Sequence, residues 1–146
     1  MPDKETLERA EQDKEEGKSQ STQAGEFVKE EIDHIREGKH GARSAKQAIA
    51  IGLSKARRAG VDLPTPKGGS KRTREQAARD SRKGKSSKTQ KPSAKRSRAT
   101  SKALKREGHS AASKSALSRQ AKSAAAKRSA AARSRSAKKA AKTRKK

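Results

Sequence analysis

The stretch SAKQAIAIGLSKARRAG, residues 44–60, decides the fold that the sequence predicts. Ser44 and Gln47 have the spacing of a capping box, in which each side chain satisfies a free backbone N–H of the other residue, so a helix should begin there. Small and apolar residues then recur on one side of this helix: Ala48, Ile49, Gly52, Leu53 and Ala56. Gly60 suits the left-handed position that ends a helix, and the helix is predicted to stop at this residue.

A second amphipathic helix precedes this stretch. It is predicted over about residues 26–37, with Gly38 placed to end it. Its apolar side carries Phe27, Val28, Ile32 and Ile35. Two helices joined by a short turn form an αα-hairpin, which we assign to residues 26–63. The small residues of the later helix recur every four positions, so the two helices should approach closely. A unit of this size is marginal alone, and a homodimer through its Ile/Leu face would stabilise it.

Charge divides the chain more sharply than hydropathy does. Residues 67–146 hold 29 of the 41 Lys and Arg residues but only three acids, and this excess accounts for the formal net charge of +25. Residues 64–70 form a Pro/Gly hinge, and residues 71–146 form a tail rich in Lys, Arg, Ala and Ser. Residues 1–25 are acidic. We interpret them as a flexible arm, either a frayed, solvated helix or an internal competitor that folds back on the tail.

Composition predicts a chain that is mainly α-helical with extensive disorder. Only 27% of the residues are hydrophobic, and low hydrophobicity with a high net charge is typical of chains that bury too little apolar surface to offset the loss of conformational entropy. We therefore expect a short αα-hairpin followed by a long basic tail that is disordered in free solution. The alanine content of the tail permits helix, so the tail should become helical when bound phosphates cancel its charge repulsion.

The tail is the candidate nucleic-acid-binding segment. A dense polycation releases counterions from DNA or RNA when its side chains contact phosphates, and this release drives association without reading the base sequence. The predicted nucleic-acid-binding residues are Lys71, Arg72, Arg74, Arg79, Arg82, Lys83, Lys85, Lys88, Lys95, Arg96, Arg98, Lys102, Lys105, Arg106, Lys114, Arg119, Lys122, Lys127, Arg128, Arg133, Arg135, Lys138, Lys139, Lys142, Arg144, Lys145 and Lys146. A possible docking face on the later helix of the hairpin comprises Lys46, Lys55, Arg57 and Arg58.

Residue composition favours double-stranded DNA over RNA as the partner. One Phe and no Tyr or Trp leave no platforms on which single-stranded bases could stack. Asn is absent and Gln is sparse, so bidentate reading of adenine has few donors. The predicted function is sequence-nonspecific binding that coats or condenses DNA, as a nucleoid-associated or histone-like protein does. Two alternatives stay open: an RNA- or ribosome-associated basic protein, and a protein-docking hairpin with a basic localisation tail.

The sequence contains no recognisable catalytic or cofactor-binding constellation. Cysteine is absent, which excludes thiol nucleophiles and zinc fingers that need Cys, and neither Gly-x-Ser-x-Gly nor a complete phosphate loop occurs. His34 has Glu30 four residues before it and Glu37 three after it, but we interpret this pattern as a solvated polar face and predict no metal. We expect a cytoplasmic protein without a signal peptide or membrane span, which is not an enzyme and takes no cofactor or small-molecule substrate.

Two stretches resemble known proteins. KQAIAIGLSKARRAG, residues 46–60, resembles a segment of small basic bacterial proteins of unknown function. SRATSKALKREGHSAASKSALSRQAKSAAAKR, residues 97–128, resembles the tail that often accompanies it, and the Lys/Ala/Ser-rich composition is similar to that of bacterial linker-histone-like nucleoid proteins. The resemblance implies a bacterial nucleoid-associated protein, and it supplies no functional residues to transfer.

Overall fold

Helix is the dominant conformation of the chain. The computed structural model describes residues 1–86 and 91–145, and helix accounts for 72% of these residues, among which there is no strand. The α-helices in chain order are α1 (Lys4–Glu15), α2 (Gln20–Arg36), α3 (Ala45–Arg58), α4 (Lys71–Lys85), α5 (Ala94–Lys105), α6 (Lys114–Ala126) and α7 (Ala130–Arg144). A 3-10 turn, Ser110–Ala112, lies between α5 and α6.

The centre of the fold is the pair formed by α2 and α3. Ser44 caps α3 as predicted, and its Oγ accepts a hydrogen bond from the backbone N–H of Gln47 at 3.2 Å. The Gln47 amide oxygen instead accepts from the backbone N–H of Arg43 at 2.7 Å. Where the helices meet, a Cβ added to Gly52 would lie 2.7 Å from Val28 Cα. The close approach predicted from the small residues of α3 is confirmed.

Helix α1 covers one side of this pair. Ala10 of α1 lies in a buried cluster with Phe27 and Ala56, and Arg9 Nε donates a hydrogen bond to Glu26 of α2 at 2.7 Å. The prediction of a flexible arm over residues 1–25 is therefore wrong: this acidic segment forms α1, which packs against α2, and its last residues, 20–25, form the start of α2.

The 3-10 turn and α6 cover the other side of the pair. Ala111 and Ala112 of the 3-10 turn are buried in a second cluster with Ile32 and Ile35 of α2, and Leu117 of α6 packs against that cluster. This packing covers part of the Ile/Leu face through which a homodimer was predicted. Part of this apolar surface therefore already has a partner within the chain, and the homodimer stays a prediction.

Helix α4 packs against α3 through a buried carboxylate. Ala77 and Asp80 are the buried residues of α4. Ser54 Oγ and Arg58 Nε of α3 each donate a hydrogen bond to the Asp80 carboxylate, both at 2.7 Å. The first helix of the predicted basic tail is thus joined to the α2–α3 pair.

The prediction of extensive disorder is wrong, because the core is built from small residues. Nine of the twelve buried hydrophobic residues in the described parts of the chain are alanine. Alanine loses no side-chain rotamer entropy on burial and lets helices approach closely, so little large apolar surface is needed. Most of the described part of residues 71–146, predicted to be disordered in free solution, lies in helices from α4 to α7.

Helices α5 and α7 lie outside the core. Neither of them has a buried residue. The end of α5 is held to the turn between α2 and α3, where the Leu104 carbonyl oxygen accepts a hydrogen bond from the Gly41 backbone N–H at 2.9 Å. As in the rest of the described chain, neither helix is long and apolar enough to cross a membrane.

Candidate nucleic-acid interface

The predicted nucleic-acid-binding cations that the structure describes lie on the surface of α4 to α7 and of the segments that adjoin these helices. Every one of these residues that the structure describes is exposed. Lys88 and Lys146 lie outside the described residues. Lys91, which the prediction omits, lies between α4 and α5 and is also exposed. The structure therefore leaves these charges accessible to an external anion.

Few acidic groups within the chain neutralise these cations. Residues 67–146 contain three acids. Asp80 is buried against α3, Glu107 is only partly exposed, and the Glu75 carboxylate is 4.0 Å from Lys71 Nζ. Because α5, α6 and α7 contain no acid at all, their cations depend on ions in solution or on a bound polyanion for neutralisation.

Helix α5 presents four of its five cations on one face. They are Lys95, Arg98, Lys102 and Lys105. This spacing of i, i+3, i+7 and i+10 places the four side chains within an arc of about 80° on a helix with 3.6 residues per turn. A shallow groove along the helix is lined by Ser97, Arg98, Ser101, Lys102, Lys105 and Arg106. Cations and hydroxyl donors without an acid suit the oxygens of a phosphate. We call the four cations the α5 stripe.

Helix α7 has a similar arrangement. Four of its six cations follow an i, i+3, i+4, i+7 spacing, which places them on one face within about 100°. They are Arg135, Lys138, Lys139 and Lys142. The helix has 15 residues and is therefore about 22 Å long. We call these four cations the α7 stripe.

The predicted docking face on α3 is not exposed as a unit. Lys46 is exposed, but Lys55 forms ion pairs with buried carboxylates of α2. Arg57 is buried and donates a hydrogen bond to the carbonyl oxygen of Pro64 at 3.2 Å. Arg58 binds the buried carboxylate of α4 at 2.7 Å. Three of the four cations therefore have partners within the chain, and only Lys46 is free to bind an external phosphate from this face.

A buried polar cluster joins α2 to α3. Glu31 is 1% exposed, and its Oε1 lies 3.2 Å from His40 Nε2. Lys55 Nζ lies 2.9 Å from Glu31 Oε2 and 2.9 Å from Glu30 Oε1. Burial opposes the charge on Lys55, but its contacts with the two carboxylates outweigh that effect and raise its pKa. The cluster therefore holds a charged lysine inside the fold.

His34 extends this cluster to the start of the chain. Its side chain is 13% exposed, and its Nε2 lies 3.0 Å from Asp3 Oδ2. The hydrogen bond with His34 lowers the pKa of Asp3. Glu31, His34 and His40 each offer one potential metal-ligand atom, and these three atoms lie within 4.8 Å of one another. The interpretation of a solvated face does not hold for this histidine. The spacing Glu31-x-x-His34 is the signal in the sequence that could have indicated the group.

A protein-family model matches part of the chain. Residues 13–67 match the model of DUF6496, a family of unknown function. This stretch runs from the end of α1 through α3 to the Pro/Gly hinge, and it contains both histidines of the polar cluster. It covers less than half of the chain and excludes α4 to α7. No curated protein and no solved structure matches the chain.

Proposed function

We propose that the protein binds double-stranded DNA without sequence preference, through the cations exposed on α4 to α7. The observation that carries this proposal is the pair of stripes on α5 and α7, two helices without an acid or a buried residue. Like charges on adjacent helical turns repel each other. A duplex, with one phosphate charge per ~1.7 Å of its axis, carries a charge density high enough to neutralise them.

The binding mechanism is the neutralisation of phosphates by preformed helices. When the stripes lie along the duplex, their Lys and Arg side chains replace condensed counterions, and the released ions supply the free energy of binding. Phosphate contacts position a protein on DNA but carry no sequence information. Two stripes on separate helices allow the protein to coat or condense DNA, as a bacterial nucleoid-associated or histone-like protein does.

The burial of Phe27 gives a reason to favour a duplex over single-stranded RNA as the partner. Proteins that bind single strands stack the bases on exposed aromatic rings. Phe27 is the single Phe of the chain, which has no Tyr or Trp, and it is 1% exposed in the core. It cannot serve as a stacking platform.

A salt titration of the affinity of the full chain for a short duplex tests the proposal. If about ten phosphates are engaged, log K falls against log[salt] with a slope of about −9. Fluorescence anisotropy over a range of NaCl concentrations measures this slope. An affinity that hardly changes with salt would reject phosphate neutralisation.

A matched pair of triple variants assigns the effect to the α7 stripe. Replacing Lys138, Lys139 and Lys142 by Gln removes three charges from an exposed helix, so the slope should become shallower by about 2.7. Replacing Lys4, Lys14 and Lys29 by Gln changes the net charge by the same amount on α1 and α2, where the cations are exposed, and should leave the slope unchanged. Equal effects of the two variants would contradict the assignment.

Competition at fixed salt tests the choice of polymer. Duplex DNA should displace labelled duplex from the full chain better than single-stranded RNA of the same length does. Preferential displacement by single-stranded RNA would overturn the duplex part of the proposal.

Substitution variants are preferable to truncation at the hinge, because truncation would remove α4 and the 3-10 turn, whose residues Asp80, Ala111 and Ala112 are buried against α2 and α3.

A further inference from the structure

The polar cluster holds more negative charge than its own cations neutralise. Three carboxylates belong to it: Asp3, Glu30 and Glu31. They face one ammonium group, that of Lys55, since the nearby Lys39 is already paired with Glu37 at 3.0 Å. Glu30 and Glu31 are buried, whereas the Asp3 side chain is 58% exposed to solvent, so with histidine counted as neutral one buried negative charge is left without a partner. Uncompensated charge is costly in a buried site.

We propose that Glu31, His34 and His40 bind a divalent transition-metal ion such as Zn²⁺. The positive charge of the ion would neutralise the buried carboxylate charge that Lys55 leaves without a partner, and two imidazoles with one carboxylate are ligands that this class of ion prefers. Glu31 and His34 are three residues apart on α2 and so share one face of the helix. His40 reaches the same point from the turn that follows α2.

The contact between Glu31 and His40 is the observation that points to an ion. His40 Nδ1 lies 3.1 Å from the carbonyl oxygen of Gly41, and because a carbonyl oxygen only accepts, Nδ1 must carry a proton. In a neutral imidazole Nε2 is then an acceptor as well, yet it faces Glu31 Oε1 at 3.2 Å. Two acceptors at this distance need a cation or a proton between them. Ligand atoms about 2.0 Å from a tetrahedral Zn²⁺ are separated by about 3.3 Å, which matches this contact.

Glu31, rather than its neighbour Glu30, has capacity for a ligand. Neither Glu31 oxygen accepts a hydrogen bond of good geometry from the described residues, so the 2.9 Å contact with Lys55 is ionic and not directional. Glu30 accepts hydrogen bonds from the Asp3 backbone N–H and from Lys55 Nζ, both at 2.9 Å. The oxygens of Glu31 are therefore buried with unused acceptor capacity that a metal ion would take up.

Both imidazoles have an outer partner that would orient them toward an ion. The Gly41 carbonyl holds His40 through Nδ1, and the Asp3 carboxylate contacts His34 at 3.0 Å. Partners of this kind fix the tautomer and the ring orientation of histidine ligands, and their loss lowers metal affinity by about 10-fold to 100-fold. The site proposed here is independent of the DNA-binding surface.

The first test uses the full chain without an affinity tag and Zn²⁺ as the probe. The chain contains three histidines, so a side-chain ¹⁵N NMR spectrum identifies the ligands directly. One equivalent of Zn²⁺ should shift the imidazole nitrogens of His34 and His40 and leave those of the exposed His109 unchanged. The absence of saturable binding, or equal shifts of all three rings, would overturn the proposal. Doubly protonated cluster rings that do not respond to Zn²⁺ would overturn it as well, because protons would then neutralise the carboxylates.

Variants examined by calorimetry give the second test. His40→Ala and Glu31→Gln should each weaken Zn²⁺ binding by at least about 10-fold, and Asp3→Asn should weaken it by about 10-fold or more. The control His109→Ala should bind as the unmodified chain does. Circular dichroism checks that each variant is folded. Where a variant is not folded, the NMR spectrum of the unmodified chain decides whether the site binds Zn²⁺. Binding by folded His40→Ala within about twofold of the unmodified chain would refute the site.

Discussion

Asp80 is the side chain that fastens the first helix of the basic segment to the rest of the fold. Its carboxylate is 1% exposed and accepts hydrogen bonds from Ser54, Arg58 and Gln76 at 2.7, 2.7 and 3.1 Å. Hydrogen bonds to charged groups contribute roughly 1.5–3 kcal/mol each, so Asp80→Asn should lower the free energy of unfolding by about 2 kcal/mol. Urea denaturation followed by circular dichroism measures this change. Glu75→Gln, at an exposed position of the same helix, should change it by less than about 0.5 kcal/mol.

The same carboxylate gives the stability a defined dependence on pH. Burial opposes ionisation of Asp80, but the hydrogen bonds from Ser54 and Arg58 outweigh it and lower its pKa below the ordinary value of 3.8. A lowered pKa in the folded state means that the contribution is complete above the unfolded value and is lost as the pH falls through the folded pKa. The stability difference between the unmodified chain and Asp80→Asn should therefore shrink below about pH 4. A difference that stays constant down to about pH 2 would contradict this account.

At the scale of the helix, the close crossing of α2 and α3 depends on Gly52, which has no side chain. A Cβ at Gly52 would lie 2.7 Å from Val28 Cα and 2.9 Å from Val28 Cγ2, so Gly52→Ala must push the helices apart. Overpacking of this kind costs about 1–3 kcal/mol of folding free energy. Gly25→Ala is the matched control, because a Cβ there meets nothing within 4 Å. It should stabilise the exposed interior of α2 by up to about 1 kcal/mol. Thermal unfolding of the two variants should shift in opposite directions.

The sequence allows α2 and α3 to be predicted because their large apolar residues recur with a helical period. It also carries start signals for three later helices: Ser70, Ser113 and Ser129 each accept a hydrogen bond from the backbone N–H three residues on. These caps are local and readable in principle. The high net charge around them is nevertheless typical of disordered chains, and the prediction of disorder rests on that charge.

What the sequence could not supply is the set of contacts made by alanine and by distant polar groups. Ala111 and Ala112 look like any other alanine of the basic segment, and only the return of the chain to α2 makes them core residues. The polar cluster depends in the same way on the fold, since Asp3 precedes α2 in the sequence and His40 follows it, yet both contact the C-terminal half of that helix. The exposure of the basic residues was easier to anticipate, because Lys and Arg are rarely buried without a partner.

At the scale of the whole molecule, the chain carries an excess of positive charge that its own acidic groups do not neutralise. The formal net charge is +25, and the basic helices α4 and α6 nevertheless contact α3. Self-repulsion in the compact state should therefore lower stability, and NaCl should restore part of it by screening. Raising NaCl from about 0.02 to 0.5 M should increase Tm by at least about 3 °C, which corresponds to roughly 1 kcal/mol in a chain of this length. A decrease in Tm would mean that ion pairs dominate instead.

The triple variant with Gln at 138, 139 and 142 connects this repulsion to the proposed function. Because it removes part of the uncompensated charge, it should have a higher Tm than the unmodified chain at low salt and should gain less from added NaCl. A duplex stabilises the folded protein through binding. In contrast to the effect of NaCl on the protein alone, this stabilisation should be largest at low salt, where counterion release is most favourable. The Tm of the unmodified chain with duplex should thus fall toward the protein-only value as NaCl rises. If duplex raised Tm equally at 0.02 and 0.5 M NaCl, neutralisation of phosphates by these helices would not be the source of the stabilisation.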